Sequence, residues 1–354
     1  MKFEQLIDLL QKTHNQLQFQ ASRSVDLFLV VRNWLFGLYI VEYEQNGEDR
    51  AHYGDRLIED LSEKLKSYNI KGVSPTNLRK FREFYTAYSS IQQTLSVELS
   101  TKQNTNLESI KNRFSLSWSH YLILLQIDKE DERKYYEIEA SNASWSVREL
   151  ERQITSCLYE RLCLSMDKKK IKQLSEKGQL IDSAKDIVKN PYILEFLDLD
   201  ERIEYSETQL ETAIINKIEH FLLELGKGFL FEARQKRFTF EQDHFYVDLV
   251  FYNRLLKSYV LIDLKLDKLT HQDLGQMQMY VNYFDRYVKT EDENPTIGIV
   301  LCKRKNDSLV ELTLPQNANV FASKYQLYLP SKEELKKQLE NLDNLFSKGD
   351  SHDR

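Results

Sequence analysis

Two apolar runs that flank a polar turn, each interrupted by one aspartate, constrain this chain more than any other feature. They form the stretch "YVDLVFYNRLLKSYVLIDLKLDK", Tyr246 to Lys268. The alternation and β-branched content describe two arms of a hairpin, with the turn about Asn253 to Lys257. Side chains alternate faces along a strand, so Leu261, Asp263 and Lys265 share one face while Val260, Ile262 and Leu264 share the other. A turn centred there pairs Tyr252 with Tyr259, Val250 with Leu261 and Asp248 with Asp263. In that register both aspartates and Lys265 point the same way; a slip of one residue would separate them.

Cross-strand neighbours lie about 5 Å apart. Two carboxylates that close repel, and burying an unpaired charge is costly. Lys265 offsets part of this, and a divalent cation would offset the rest. Hard cations such as Mg²⁺ take oxygen ligands, often one or two carboxylates plus substrate phosphate. A lysine beside them can hold water and stabilise a phosphorane-like transition state. Asp248, Asp263 and Lys265 therefore read as a metal-dependent phosphodiester-hydrolysing site. The pattern [DE]-x-K alone means little, since Asp167-Lys168-Lys169, Glu132-Arg133-Lys134 and Glu334-Leu335-Lys336 also fit it in polar or helical stretches. The apolar strand around Asp263-Leu264-Lys265, and Asp248 before it, set this instance apart. A structural ion pair on a half-exposed sheet is the other reading the residues leave open.

The elements around the hairpin follow from capping and periodicity. "SETQLETAIINKIEHFLLELG" (Ser206 to Gly226) has a capping Ser, a first-turn Glu and a terminal Gly, and predicts one helix. "GFLFEARQKRFTF" (Gly228 to Phe240) and "PTIGIVLC" (Pro295 to Cys302) predict strands. "THQDLGQMQMYVNYFDRYV" (Thr270 to Val288) predicts a helix with Leu274, Met277, Val281, Phe284 and Val288 on one face. The order is α-β-β-β-α-β. A last helix follows Ser331, and residues 347–354 are expected to fray.

The first half differs. Ten glycines and five prolines in 354 residues favour long helices, and residues 1–165 read as successive amphipathic ones. "GVSPTNLRKFREFYTAY" places Ser74 as an N-cap and Pro75 as a first helical residue. Helix, short turn and second helix with Arg79, Lys80 and Arg82 near its start is the outline of a DNA-binding helix-turn-helix, and equally of an ordinary helical hairpin. The lysine-rich stretch near Ser165 to Gly178 reads as a linker or domain edge, assigned to residues 166–190. A second domain covers 191–346. The expected class is α+β: an all-helical domain, then an α/β core.

Composition narrows the setting. Two domains suit this length. Net charge is −6, which does not advertise a nucleic-acid binder, although "ARQKR" (with Arg234 and Lys236), "DKKKIKQ" and "CKRKN" are local basic clusters. Cys157, Cys163 and Cys302 lack CxxC spacing and read as buried hydrophobes rather than a disulfide framework or zinc site. The start, "MKFEQLIDLLQKTHNQ", is an amphipathic helix without a signal-peptide core, and no run approaches the ~18 apolar residues of a membrane span. A cytoplasmic location, with no membrane partner, is expected.

D…DxK in an αβββαβ order resembles the PD-(D/E)XK nuclease core, and "QMQMY" after it is similar to the Q-x-x-x-Y motif of nucleases of the RecB type. More closely, "FLLELGKGFLFEARQ", "VDLVFYNRLLKSYVLIDLK" and "GQMQMYVNYFD" resemble the YhcG-like nuclease family of bacteria. "YGDRLIEDLSEKL", "LSWSHYLILL" and "WSVRELERQI" resemble that family's N-terminal domain. The resemblance implies metal ligation by Asp248 and Asp263, a catalytic Lys265, and accessory roles for Gln276 and Tyr280, whose i, i+4 spacing puts them on one helix face; Tyr280 can equally be core. Glu224 or Glu219 could supply a further carboxylate. Asp263 stands where the family pattern often has Glu. The implied cofactor is Mg²⁺ or Mn²⁺ and the implied partner DNA, bound in part by the N-terminal domain. A homodimer is reasonable for cutting both strands. The other class of function is a non-cleaving or partner-dependent DNA-binding or assembly protein on a nuclease-like fold.

Overall fold

The computed structural model describes residues 26–45, 56–89, 110–165, 168–200, 205–240, 242–315, 317–333 and 335. The amphipathic start, most of the helix expected after Ser331 and the tail from 347 lie outside the described residues. The chain divides into two compact units, Met1–Leu150 and Glu151–Arg354.

The first unit is helical where it is described. Helix α1 covers residues 26–45, α2 Leu57–Ser67, α3 Pro75–Ala87, α4 Trp118–Leu124 and α5 Glu130–Asn142. Ser74 caps α3 as its sequence predicts, its hydroxyl accepting from the Asn77 N–H at 3.3 Å, with Pro75 in the first turn. The core is aromatic: Phe84 packs on Phe114, Trp118 and Tyr121 with ring centroids 5.0–5.4 Å apart. Gly37 of α1 allows the crossing with α3, because a Cβ there would collide with the Phe81 carbonyl.

Helix α6 (Val147–Thr155) contains the division, and α7 (Leu158–Ser165) lies wholly in the second unit. Within the second unit, Arg152 bonds Glu195, and Arg161 bonds Glu224. The stretch expected as a linker is structured as well. It holds α8 (Lys168–Lys177) and a 3₁₀ turn at Ala184–Ile187, joined by a Lys170–Asp186 ion pair of 2.6 Å. Leu174 and Ile187 there are buried.

The second unit is built on one six-stranded sheet. The strands are β1 (Tyr192–Ile193), β2 (Phe229–Phe240), β3 (Asp243–Asn253), β4 (Ser258–Lys268), β5 (Ile297–Arg304) and β6 (Val320–Gln326). Their order across the sheet is β1-β6-β5-β4-β3-β2. The pairs β2–β3 and β3–β4 are antiparallel, and β4–β5, β5–β6 and β1–β6 are parallel. The expected αβββαβ order is present, and β1 and β6 extend its parallel side. The helix expected over 206–226 is two, α9 (Glu207–Asn216) and α10 (Ile218–Leu225), since the backbone at Lys217 leaves helical geometry.

Alternation along the strands sends side chains into two cores. Leu249, Phe251, Val260, Ile262 and Leu264 meet Leu210, Ile214, Phe221 and Leu225 of α9 and α10. Val250, Leu261 and Val300 meet Leu274, Met277, Tyr280 and Val281 of the long helix α11 (His271–Tyr287). A short helix α12 (Asp307–Thr313) precedes β6. All three cysteines are buried and none forms a disulfide. No described helix is long and apolar enough to cross a membrane.

Candidate active site

The hairpin has the predicted register, with Tyr252 opposite Tyr259 and Val250 opposite Leu261. The main-chain ladder stops at Leu249–Ile262, one step before the two aspartates. There Asp248 takes over the pairing with its side chain: Oδ2 accepts from the Leu264 N–H at 2.8 Å. Its other oxygen, Oδ1, accepts from Gln235 Nε2 at 3.0 Å. Asp248 is thereby held by the backbone of the strand that carries Asp263.

Asp263 is only 3% exposed. Lys265 Nζ pairs with its Oδ2 at 2.9 Å, and among the described residues no other donor reaches this buried oxygen. Burial, then the Asp248 charge, push the Asp263 carboxyl up to about 7, against the pull of Lys265. Burial acts to lower the Lys265 ammonium, yet the carboxylates of Asp263, Glu207 and Asp248 raise it above its ordinary value. Lys265 is thus a fixed cation.

Helix α9 brings two glutamates to this end of the sheet that sequence reasoning missed. Glu207, exposed in the first turn after the capping Ser206, lies 3.6 Å from Lys265 Nζ. Glu211, one turn on, is buried and accepts from Arg234 Nε at 2.9 Å and from Gln235 Nε2 at 2.6 Å. Gln235 thus bridges Glu211 and Asp248. Its backbone occupies the left-handed region (φ 45), which is uncommon for a non-glycine residue and aims the amide between the two acids. The signal for the glutamates was their i, i+4 spacing, with Glu211 between the core residues Leu210 and Ile214.

Gln276 and Tyr280 of α11 meet, Gln276 Nε2 donating to the Tyr280 hydroxyl. Tyr280 is buried in the α11 core. Burial raises its hydroxyl pKa, and the nearby charges of Asp263 and Asp248 raise it further.

Glu224, expected as a further ligand, is engaged by other partners. It is fully buried, with Oε1 accepting from Arg161 Nη1 at 2.5 Å and from the Ile193 N–H at 3.0 Å, and Arg152 at 3.5 Å. Burial opposes its ionisation, but Arg161 and Lys189 overcome it and hold the carboxyl down at about 2. Its charge is spent on joining α6 and α7 to the sheet. Glu219 is exposed on α10.

The basic residues singled out from sequence are also engaged. Arg79 pairs with Glu59, Lys80 with Glu83 at 2.7 Å and Arg82 with Glu44 at 2.7 Å. Arg234 is bound to Glu211, and Lys236 stands 3.6 Å from Glu232.

The donor set suits a hard divalent cation. Asp263 Oδ2 is buried with Lys265 as its one partner among the described residues, and the carboxylate charge of Asp248 lies beside it. Among the described residues, no three His, Cys, Asp or Glu side chains converge tightly enough to hold an ion unaided. Mg²⁺ does not require that, because it keeps several waters and uses one or two carboxylates plus substrate oxygens.

Residues 185–340 match the YhcG PDDEXK nuclease domain, and residues 9–161 match the DUF1016 N-terminal domain. The chain is 36% identical over 362 residues to a protein of Escherichia coli (strain K12) named "Putative nuclease YhcG", across 98% of this chain and 96% of that one. Two solved structures show slight, partial likeness. One is a "repair endonuclease from Pyrococcus abyssi", at 19% identity, TM-score 0.24, 36% of this chain and 50% of that one. The other, "Structure of EndoMS-dsDNA2 complex", has 17% identity, TM-score 0.25, 38% of this chain and 51% of that one.

Proposed function

Because the chain belongs to the YhcG family of PDDEXK nucleases, we propose that it is a divalent-metal-dependent nuclease that hydrolyses phosphodiester bonds in DNA, with Asp248, Asp263 and Lys265 as its reacting centre. The observation that carries this reading is Asp263: a buried carboxylate with an open oxygen, set beside Asp248 and Lys265 where two strands part.

Asp248 and Asp263 would hold Mg²⁺ or Mn²⁺ through their oxygens. When bound, such an ion supplies charge neutralisation and Lewis-acid polarisation at the scissile phosphate. Lys265 is fully protonated at neutral pH, so it serves as a cation and hydrogen-bond donor that orients water and offsets charge developing on phosphate, rather than as a base. Glu207 and Glu211 keep further oxygens within a helical turn of the centre. The Gln276–Tyr280 pair braces the α11 side. The N-terminal unit enters this reading as a DNA- or partner-binding element. Its α2–turn–α3 order supports that role, and the paired Arg79, Lys80 and Arg82 would have to exchange carboxylates for phosphates.

Incubation of the purified protein with linear, branched and single-stranded DNA, and with RNA, in Mg²⁺, Mn²⁺ and EDTA tests the proposal. Cleavage of DNA that vanishes with chelator is expected. Robust cleavage in EDTA, or no cleavage of any substrate, contradicts it.

A further inference from the structure

A second feature of α11 is used neither by the catalytic reading nor by the packing. Gly275 sits in the interior of this 17-residue helix, where glycine is a poor helix former. Among the described residues nothing crowds it: a Cβ built there meets no heavy atom within 4 Å, unlike one at Gly298, which would strike Met277. The space over Gly275 is one end of a groove of about 530 Å³ between α11, the β2–β3 turn and the segment after α12. Gly275, Met279, Asn282 and Arg286 line it at helical spacing.

The groove is walled by aromatic rings. Phe238 stacks on Tyr283 at 4.1 Å and 19° and on Phe245 at 5.5 Å and 24°. Tyr287, 65% exposed, extends the row from Tyr283, and Phe240, 56% exposed, flanks it. Its polar rim is Gln278, Asn282, Arg286 and Asp243, so amide, guanidinium and carboxylate groups surround an apolar slot. Side-chain contacts link the groove to the catalytic centre: Phe238 also packs against Tyr280 at 5.5 Å, and Tyr280 is bonded to Gln276. The exposed rings of Tyr287 and Phe240, beside the buried Phe238 stack and with hydrogen-bonding groups near them, offer the chemistry that takes up unstacked bases, whose flat faces are covered and whose edges are polar.

Resting on the nuclease reading above, we infer that this groove is a base-binding site: it receives an unpaired nucleobase of the strand whose phosphate lies at Asp248 and Asp263, so that the preferred substrate carries single-stranded character next to the cut. Gly275 is kept small to leave room for that base.

Gly275→Leu tests this directly, because it fills the groove mouth while its Cβ meets no protein atom and leucine favours the helix. Its melting temperature should equal or exceed the parent's. Binding is measured by fluorescence anisotropy on the full-length protein in EDTA, with a single-stranded oligonucleotide, the same strand bearing successive abasic sites, and a blunt duplex. Gly275→Leu and Tyr287→Ala should each weaken single-strand binding by about tenfold, the scale of one base–aromatic stack. Tyr287→Phe should bind as the parent does, and duplex binding should change by less than about twofold on the same scale. An abasic site at the contacted position should cost the parent the same factor and cost Gly275→Leu nothing. Equal single-strand binding by parent and Gly275→Leu overturns the inference. So does a parent that self-associates through the groove, read as a dimer by light scattering that Gly275→Leu abolishes. Cleavage in Mg²⁺ is scored separately: cleavage without a groove effect removes the base site and leaves the nuclease, whereas groove-dependent binding without cleavage removes the nuclease and leaves the base site.

Discussion

Lys265 Nζ pairs with Asp263 Oδ2 at 2.9 Å, and among the described residues no other donor reaches this buried oxygen, so the carboxylate has a charge partner and a lone pair left open at once. Leaving it open costs stability that an added cation can return, and this trade governs the first two predictions.

Metal-free stability should depend on pH through Asp263. The unfolded chain titrates this carboxyl near its ordinary 3.8, and the folded chain near about 7. Between those values the folded state binds the extra proton, so stability falls as pH rises and levels off above about 7. Asp263→Asn lacks this slope. Its melting temperature in EDTA should overtake the parent's increasingly from pH 5 to pH 8, and Mg²⁺ should stabilise only the parent. A variant that melts below the parent at pH 8, with no Mg²⁺ effect on either, would mark a structural ion pair.

Removing the lysine should act in the opposite sense on stability. Lys265→Ala leaves Asp263 and Asp248 uncompensated, and solvent reaching the lysine screens part of the effect. A loss on the order of 1 kcal/mol in EDTA, or about 2–4 °C in melting temperature, is expected. Cleavage should fall by about 10²-fold or more, as for other groups aimed at transition-state charge. Undiminished cleavage by this variant would remove Lys265 from the chemistry.

Glu224 should behave as a structural residue. Its carboxyl is held at about 2, so its contribution is present above the ordinary 4.5 and lost as pH falls toward 2. Glu224→Gln breaks a buried ion pair with Arg161 and should cost about 3–5 kcal/mol. The Mg²⁺-induced rise in melting temperature should survive in this variant; its disappearance would return Glu224 to the ligand set.

Gln235 should matter through Asp248. Gln235→Leu removes the amide that bridges Glu211 and Asp248, two acids that repel without it. Loss of such a supporting partner typically costs about 10–100-fold in metal affinity or activity. A rise of that size in the Mg²⁺ concentration for half-maximal cleavage is expected, with DNA binding in EDTA unchanged. Equal Mg²⁺ dependence in parent and variant would reduce Gln235 to a strand residue.

The hairpin and its charged residues were legible because strand alternation is strict and two aspartates break it visibly. The register followed from the turn, and α11 from its Thr270 cap and apolar stripe. The helix carboxylates were not, because Glu211 sits in an apolar stripe that reads as ordinary core. The pairing of Glu224 with Arg161, 63 residues away in sequence, was not legible either, because no local pattern reveals it. Gln235 depends on a left-handed backbone inside a strand, which side-chain alternation does not announce. Strand β6 escaped notice because Ala322, Ser323 and Lys324 dilute its apolar pattern, and β1 has only two residues.

Direct binding of Mn²⁺ to the full-length protein, followed by electron paramagnetic resonance with Mg²⁺ as competitor, tests whether Asp248 and Asp263 form a metal centre. The parent and Glu224→Gln should bind Mn²⁺ at a Mg²⁺-competed site, and Asp248→Asn and Asp263→Asn should each lose it. Identical Mn²⁺ titrations for the parent and both aspartate variants would contradict the account.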